Sequence, residues 1–286
     1  MIFLFIFFLL FSKVTIGIPL NQLKLDIDKK IREPDFNGTL TEEYLYALGY
    51  TNQSETILLN FKNVTSIAPF AFSNFIKLRN LTMSYNSLKE ITPTAFRGLQ
   101  SLVILDLHCN LIMKVANNSF IDLNSLTSLF LGCNEIYEVN SNTFNGLTNL
   151  TRLDLSFNGF KNIEPLLFSK LSQLESISLF YNRLLMMNSS EYFVYNQKLK
   201  YIKLTFNWMT YLDKNIFKNL TSVIGISLQG NRFRTIDSDI IQGCTNIKYF
   251  CLQSDYFFSN FTLNMEGLDN LEVDKILNQN CDSFVG

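Results

Sequence analysis

The sequence has little of what most enzymes and nucleic-acid-binding proteins need. Its 286 residues include one histidine, and the formal net charge is −1. There is no basic excess to favour a nucleic-acid partner and no acidic excess to indicate a cation-binding tail. We also find no glycine-rich phosphate loop. The 47% hydrophobic content is too high for a disordered chain, so the sequence predicts a folded protein with a substantial core.

The single histidine, His108, does not complete a pattern typical of catalysis or metal binding. Asp106 precedes it by two residues, but a Ser-His-Asp site also needs an oriented serine and an oxyanion site, and neither has a sequence signature. The spacing of Cys109 and Cys133 from His108 matches no zinc pattern. We therefore expect no enzymatic activity, no metal and no cofactor, with His108 solvated on the surface.

What the sequence does contain is a repeat of 24 residues. A clear copy runs from Leu150 to Leu171, where a Leu-x-x-Leu-x-Leu run precedes an asparagine and then a phenylalanine. One copy cannot bury its own apolar side, so neighbouring copies are needed. Both residue types recur in lockstep, with a single step of 25. The asparagines are Asn86, Asn110, Asn134, Asn158, Asn182, Asn207 and Asn231, and the phenylalanines are Phe72, Phe96, Phe120, Phe144, Phe168, Phe193 and Phe217.

This double periodicity predicts a solenoid of about nine coils, which begin near residues 54, 78, 102, 126, 150, 174, 199, 223 and 247. Each coil is expected to add one strand to a parallel sheet, about 4.8 Å from the next, with the leucines inside. The asparagines should bond backbone groups in their own coil and in the next, and the phenylalanines should stack. Lys62 and Asp255 take the asparagine place in the end coils, which fits capping units.

The Leu-x-x-Leu-x-Leu-x-x-Asn-x-Leu motif resembles the leucine-rich repeat in its 24-residue extracellular form. The resemblance covers about two thirds of the chain, at residues 54–257. It implies a curved, right-handed solenoid of the α/β class, mostly strand with an irregular convex side and a parallel sheet on the concave face. The opening SETILLNFKNVTSIAPFAF also resembles the first repeats of secreted arthropod leucine-rich immune proteins and of Toll-like receptor ectodomains, which implies innate recognition.

The segment before the repeats divides into two parts. Residues 1–17 resemble a secretory signal peptide, because the apolar run at 2–11 has the length of a signal core and is too short to span a bilayer. A buried N-terminal strand is the alternative. Residues 18–53 should form an N-terminal cap without cysteines, containing a helix around Thr41–Leu48 with Thr41 as the N-cap.

Residues 258–286 are expected to form a C-terminal cap. No apolar tail or lipid-anchor signal follows them, which predicts no membrane span and a secreted, extracellular protein. Nine Asn-x-Ser/Thr sequons favour a glycosylated product, and none belongs to the repeated asparagines. The sequons begin at Asn37, Asn52, Asn63, Asn80, Asn117, Asn149, Asn188, Asn219 and Asn260.

The five cysteines leave at least one without a partner. Cys109 and Cys133 share a slot in consecutive coils, so they are either a disulfide between strands about 5 Å apart or two fillers of a column that is otherwise aromatic. Cys281 is expected to bond either Cys251 or Cys244. Cys251 is favoured because it takes an outward position, whereas Cys244 replaces a core leucine.

The repeat register also identifies the strand positions that face outward. In the fourth to seventh coils these positions hold aromatic side chains among charges, which is typical of a protein-binding hot spot. Scattered exposed aromatics are also common on ordinary surfaces. The predicted partner-binding residues are Phe130, Arg152, Asp154, Phe180, Tyr201 and Lys203.

Two functions are compatible with these features, and a third is not supported by them. The first is a secreted, non-enzymatic module that binds an extracellular protein or glycan ligand through its concave sheet, in innate immunity. The second is a structural matrix or adhesion protein of the small leucine-rich proteoglycan kind, although the N-terminal cysteine cluster of that family is missing. The third, an enzyme, has no support in the residues described above.

Overall fold

The computed structural model describes residues 36–236, 238–252 and 262–263. Its only α-helix within these ranges lies near the start, and short strands follow at regular intervals. In chain order the elements are β1 (Thr39–Leu40), α1 (Glu42–Ala47), β2 (Thr56–Leu58), β3 (Ser66–Ile67), β4 (Asn80–Thr82), β5 (Glu90–Ile91), β6 (Ile104–Asp106), β7 (Lys114–Val115), β8 (Ser128–Phe130), β9 (Arg152–Asp154), β10 (Ser176–Ser178), β11 (Met186–Met187), the 3-10 helix Ser190–Tyr192, β12 (Tyr201–Lys203), β13 (Tyr211–Leu212), β14 (Gly225–Ser227), β15 (Thr235–Ile236), the 3-10 helix Ser238–Ile241, β16 (Tyr249–Cys251) and β17 (Thr262–Leu263).

One parallel sheet organises the described part of the chain. It has nine strands in the order β2, β4, β6, β8, β9, β10, β12, β14 and β16. Each strand pairs with its neighbours in register, so that Leu129 faces Leu105 on one side and Leu153 on the other. The middle residue of every strand is buried and forms one core column. The predicted solenoid of about nine coils, with a parallel sheet and little helix, is confirmed.

Each repeated asparagine fastens its own coil to the coil before it. Asn158 is buried; its Oδ1 accepts from the Ile136 N–H at 3.0 Å, and its Nδ2 donates to the carbonyls of Leu131 at 3.0 Å and Leu155 at 3.2 Å. Ile136 and Leu131 belong to the preceding coil. The same three-way pattern is made by Asn86, Asn110, Asn134, Asn182, Asn207 and Asn231. These residues, with Asn158, are called the ladder asparagines, and their side-chain hydrogen bonds the ladder bonds. The expected bond to the next coil is wrong, because the side chain points back toward the turn it seals.

This direction explains why Lys62 can stand in the asparagine place. The Lys62 and Val64 N–H groups of the first coil both donate to Asn86 Oδ1, each at 3.0 Å. The turn of the first coil therefore receives its side-chain amide from Asn86 of the second coil. No repeat precedes the first coil in the described part of the chain, so none there needs an amide from position 62. Asp255, the other predicted departure, lies outside the described residues.

The phenylalanines of the repeat form a buried spine. All seven are at most 1% exposed, and adjacent rings from Phe72 to Phe120 and from Phe144 to Phe217 stack with centroids 6.1–6.4 Å apart. Offset stacking at this separation is favourable for aromatic rings. The predicted Phe column is confirmed as a buried stack of rings.

The start of the solenoid is covered by α1 and β1. Thr41 caps α1, since its hydroxyl accepts from the Tyr44 N–H at 3.2 Å. Tyr44 and Leu45 are buried, and β1 pairs in parallel with β3 in a two-stranded sheet separate from the main sheet. The predicted helix and its N-cap are present. The chain divides into the units Met1–Asn37 and Gly38–Gly286, so α1 and β1 belong with the repeats.

Each strand of the main sheet from β2 to β14 is followed, three residues after its last residue, by a left-handed residue that stands directly before the asparagine place. The φ angles lie between 51° and 65° although only the last of these residues is glycine. This conformation costs a residue with a Cβ about 1–2 kcal/mol. Backbone hydrogen bonds between the coils enforce it, because the N–H of Tyr85, for example, donates to the His108 carbonyl of the next coil at 2.9 Å. The column is Phe61, Tyr85, Cys109, Cys133, Phe157, Tyr181, Phe206 and Gly230.

Candidate binding surface

The concave patch consists of the six side chains at which the sequence predicts partner contacts. They lie on β8, β9, β10 and β12 or at the end of these strands, at positions that alternate with the buried core column. Arg152 is exposed and the other five are half-buried. The sheet register puts Phe130 beside Asp154, and it puts Arg152 two strands from Tyr201 in the same row. The concave patch is Phe130, Arg152, Asp154, Phe180, Tyr201 and Lys203.

A histidine holds two aspartates of this face together. His108 Nδ1 lies 3.0 Å from Asp106 Oδ1, and Nε2 lies 2.8 Å from Asp154 Oδ2. Its ring also stacks on Phe130, with centroids 5.3 Å apart. The side chain thus reaches from the third coil across the fourth to the fifth. The expectation of a solvated His108 is wrong, because both ring nitrogens are engaged and only 30% of the side chain is exposed.

Gly132 makes room for this bridge. It occupies the same sheet column as His108, one coil later, and a Cβ added there would lie 2.7 Å from His108 Cδ2 and 2.8 Å from Nε2. Real Cβ atoms do not approach so closely, so a side chain at this position would displace the imidazole. The absence of a Cβ at Gly132 is therefore what lets His108 reach Asp154.

The aspartates make His108 a cation at neutral pH. Burial lowers its pKa, but the hydrogen bonds to Asp106 and Asp154 outweigh burial and raise the pKa to about 9. Burial also disfavours the charged form of Asp154, yet hydrogen bonds from His108 and Ser156 hold its pKa below the ordinary value. The bridge is thus a charged network of one imidazolium and two carboxylates.

The bridge predicts a pH-dependent contribution to stability. The His108 pKa is raised by folding, so the contribution is complete below the unfolded value of about 6.5 and is lost as pH rises toward 9. We expect His108→Gln to lower the free energy of unfolding by about 1–2 kcal/mol at pH 6. The difference from the wild type should shrink steadily between pH 7 and 9.5. Urea denaturation across this pH range measures it, and a difference that does not change with pH would contradict the bridge.

Phe180 does not lie with the rest of the concave patch. Its ring packs edge-on against Phe157 at 5.0 Å and Phe206 at 5.6 Å, and it also contacts Tyr181. These three belong to the left-handed column at the end of the strands. The structure therefore divides the predicted residues between the middle of the sheet, where Phe130 and Asp154 surround His108, and an aromatic cluster at its edge.

Sequence reasoning predicted Asp154 for this face but missed Asp106, His108 and Gly132, which the structure brings to it. Asp106 and Asp154 occupy one sheet column 48 residues apart, and His108 stands two residues after the first of them. Together with the glycine at position 132, this spacing was a usable signal for a bridge across two coils. Trp208, at the edge of the sheet and not on this face, was also missed, because it lies one residue after a ladder asparagine and outside the outward strand positions.

The two neighbouring cysteines are free thiols in the structure. Cys109 is half-buried and Cys133 is exposed, and a hydrogen bond between their side chains raises the pKa of Cys109 and lowers that of Cys133. Tyr85 also hydrogen-bonds Cys109. The thiols are in contact as their shared slot predicts, and their oxidation to a disulfide stays a prediction.

The cysteines near the end of the chain differ in role. Cys244 is a buried thiol that donates to the Phe217 carbonyl at 3.2 Å, and burial raises its pKa to about 11. This agrees with the predicted core position. Cys251 is disulfide-bonded and fully buried. Its outward strand position is therefore not an exposed one, and its predicted partner Cys281 lies outside the described residues.

Most predicted glycosylation sites are accessible. Among the sequon asparagines, only Asn80 lies in a strand of the main sheet, where it is half-buried. Asn260 lies outside the described residues. The exposed ones are Asn37, Asn52, Asn63, Asn117, Asn149, Asn188 and Asn219.

The comparisons with known proteins agree with this geometry. Residues 55–112, 76–136 and 124–184 match the family model described as leucine rich repeat. The chain has the leucine-rich repeat fold. A solved leucine-rich repeat protein of Leptospira interrogans superposes with a TM-score of 0.58 at 25% identity, covering 70% of this chain and 48% of that one. This chain therefore spans about half the length of that relative.

Similar folds are numerous, with 409 matching chains among solved structures, so the fold alone does not identify a partner. A search of curated proteins finds no match. Leucine-rich repeat proteins are generally non-enzymatic scaffolds that bind other proteins. Within the described ranges no helix is long and apolar enough to cross a membrane, and no group of three or more histidines, cysteines or carboxylates is placed to hold a metal ion.

Proposed function

We propose that this leucine-rich repeat protein is secreted and recognises another extracellular protein through its concave patch, as part of innate recognition. The observation that carries the proposal is the network around His108. A self-contained solenoid needs no such network, since the leucines, asparagines and phenylalanines already satisfy its core and its turns. The network instead holds aromatic and charged side chains in place on an accessible face of the sheet.

A fixed surface favours binding because little side-chain entropy remains to be lost on association. Phe130 is held against the His108 ring, and Asp154 is held by His108 and by the Ser156 N–H at 2.8 Å. Arg152 beside them is exposed and free to reach a partner. Aromatic and arginine side chains are also the residue types that most often dominate interface energies. These features favour a protein ligand over a purely structural role.

The resemblance of the first repeats to arthropod immune proteins and Toll-like receptor ectodomains supports a place in innate recognition, and the N-terminal segment and sequons support secretion. A matrix or adhesion role is the second candidate. Affinity capture from extracellular fluid before and after microbial challenge separates the two. Soluble complexes that appear after challenge support recognition, whereas retention in insoluble matrix at all times supports adhesion.

Alanine substitutions in the concave patch should weaken partner binding. For the partner isolated by affinity capture, we expect Phe130→Ala with Arg152→Ala to raise the Kd about 10- to 100-fold, since each removes a hot-spot type of side chain. The matched control is Ile76→Ala with Lys170→Ala, which removes one exposed apolar and one exposed cationic side chain outside the main sheet. Titration by surface plasmon resonance measures both. An unchanged Kd in the concave variant would refute the proposal.

A further inference from the structure

A second exposed surface lies at the edge of the sheet, where the sixth, seventh and eighth coils turn at their ladder asparagines. All of its side chains except one stand directly before or directly after an asparagine of the ladder. They are exposed, and none belongs to the concave patch. The rim patch is Tyr181, Arg183, Phe206, Trp208, Arg232 and Arg234.

Trp208 is flanked by arginines from both neighbouring coils. The guanidinium of Arg232 lies 5.0 Å from the indole centroid and that of Arg183 lies 6.0 Å from it. Such contacts are worth about 0.5–1 kcal/mol at an exposed site. Stacking uses the flat face of a guanidinium, whereas its N–H donors lie in the plane and stay available for a carboxylate. Trp208 therefore brings two cations together at the edge of the sheet.

The rim patch is cationic and contains no acid. The segments 156–161, 180–185, 205–210 and 229–234 line this edge, and they carry four cations and no Asp or Glu. No described carboxylate forms an ion pair with any of these cations. The corresponding segments of the second to fourth coils hold one lysine and one glutamate, besides His108. The four cations are Lys161, Arg183, Arg232 and Arg234.

In the aromatic side chains of this patch the ring edges are more accessible than the flat ring faces. Phe157 and Tyr181 stack on each other at 4.9 Å, and the Phe206 ring lies over Gly230. Guanidinium groups from the two neighbouring coils lie over the Trp208 ring. A sugar needs an open aromatic face to stack on, whereas the side chains of a peptide pack against exposed ring edges. The charge calls for carboxylates, which bind guanidinium groups by paired hydrogen bonds.

We propose that the rim patch binds an acidic peptide segment of a partner protein, with its carboxylates on Arg183, Arg232 and Arg234 and its apolar side chains against Tyr181, Phe206 and Trp208. The rim patch would match such a peptide in both charge and apolar surface, since arginines and aromatic side chains alternate along the same edge of the sheet. This inference uses different residues from the concave patch, so the two can fail separately.

The test uses the full-length protein and a fluorescent synthetic peptide of repeated Glu-Glu-Leu triplets. Fluorescence anisotropy should show saturable binding at low salt that weakens several-fold at about 0.5 M salt, because exposed charges are then screened. The triple variant Arg183→Gln, Arg232→Gln, Arg234→Gln should bind at least about 10-fold more weakly. Trp208→Leu should weaken binding less, about 3- to 5-fold, by releasing the arginines.

Matched controls separate the rim patch from general charge. Lys89→Gln, Lys114→Gln and Lys170→Gln remove the same charge from exposed positions elsewhere and should leave the peptide Kd within about 2-fold. Phe130→Ala with Arg152→Ala should also bind the peptide normally, even if it loses the concave partner. A Glu-Glu-Ser peptide of equal charge should bind more weakly than Glu-Glu-Leu.

Three results would overturn the proposal. The first is no binding of the Glu-Glu-Leu peptide to the wild type. The second is equal binding by the rim and lysine variants. The third is equal binding of the serine and leucine peptides together with complete displacement by heparin, which would make the edge a general polyanion site. Urea denaturation of each variant confirms that it is folded before its Kd is compared.

Discussion

Asn158→Ala is expected to lower the free energy of unfolding by about 3–5 kcal/mol. The substitution leaves the Ile136 N–H and the Leu131 and Leu155 carbonyls without the amide that now pairs them. A buried polar group without a partner costs about 1–3 kcal/mol. Because Asn158 joins two coils in the middle of the solenoid, its loss also weakens the interface through which repeats stabilise each other. Equilibrium denaturation in urea measures the change.

The control for this substitution is Asn162→Ala. Asn162 is an exposed asparagine four residues later in the same coil, so its replacement should change the free energy of unfolding by less than about 0.5 kcal/mol. Equal effects of the two substitutions would mean that the ladder bonds do not hold the coils together.

Phe168→Ala should have an effect of similar size for a different reason. The ring is fully buried and stacks on Phe144 at 6.4 Å and on Phe193 at 6.1 Å. Truncation removes its apolar contacts and opens a cavity in the spine, which costs about 3–5 kcal/mol for a core phenylalanine. Phe70→Ala is the matched control, because Phe70 is 54% exposed. A loss at Phe168 no greater than that at Phe70 would contradict a packed spine.

The architecture was predictable because two independent columns repeat with the same period. The leucine run and the asparagine fix where each strand lies, and every predicted coil contains its strand at the expected place, from Thr56–Leu58 to Tyr249–Cys251. The single 25-residue step falls in the sixth coil, where the 3-10 helix Ser190–Tyr192 replaces a turn. A shared 24-residue period of this kind indicates which side chains are buried, because only coils that stack on one another need the same residue at the same place in each coil.

The direction of the ladder bonds was not predictable. A repeated asparagine shows that an amide is needed at each turn, but its spacing is the same whether the amide bonds forward or backward. The structure decides, because the left-handed residue before each asparagine turns the chain so that the amide faces the preceding coil. That conformation leaves no mark in the sequence when phenylalanine or tyrosine adopts it in place of glycine.

The candidate surface was predictable only as a set of positions. The register placed Phe130, Arg152 and Asp154 on the outward face, which the structure shows. It did not reveal that His108 joins Asp154 from 46 residues away. Which side chains meet on a sheet depends on their lengths and on gaps such as Gly132, and neither follows from a period.

The rim patch escaped sequence reasoning for a related reason. Attention to strand positions leaves out the residues that follow the asparagine, where Arg183, Trp208 and Arg232 align only after the coils are stacked. Stacking brings residues 24 or 25 apart in the sequence into contact. In a solenoid, equivalent positions of successive coils thus form a continuous surface, and each such set of positions is a separate candidate binding surface.

Amide hydrogen exchange in the Asn158→Ala protein tests most directly whether each asparagine holds the coil before it. The Ile136 N–H, bonded to Asn158 at 3.0 Å, is predicted to lose protection, whereas the Phe160 N–H, bonded to Asn182 at 3.3 Å, should keep it. Faster exchange at the Leu184 N–H of the next coil, which bonds Asn207 at 3.1 Å, with Ile136 unchanged, would show that the ladder runs the other way and would contradict the structure described above.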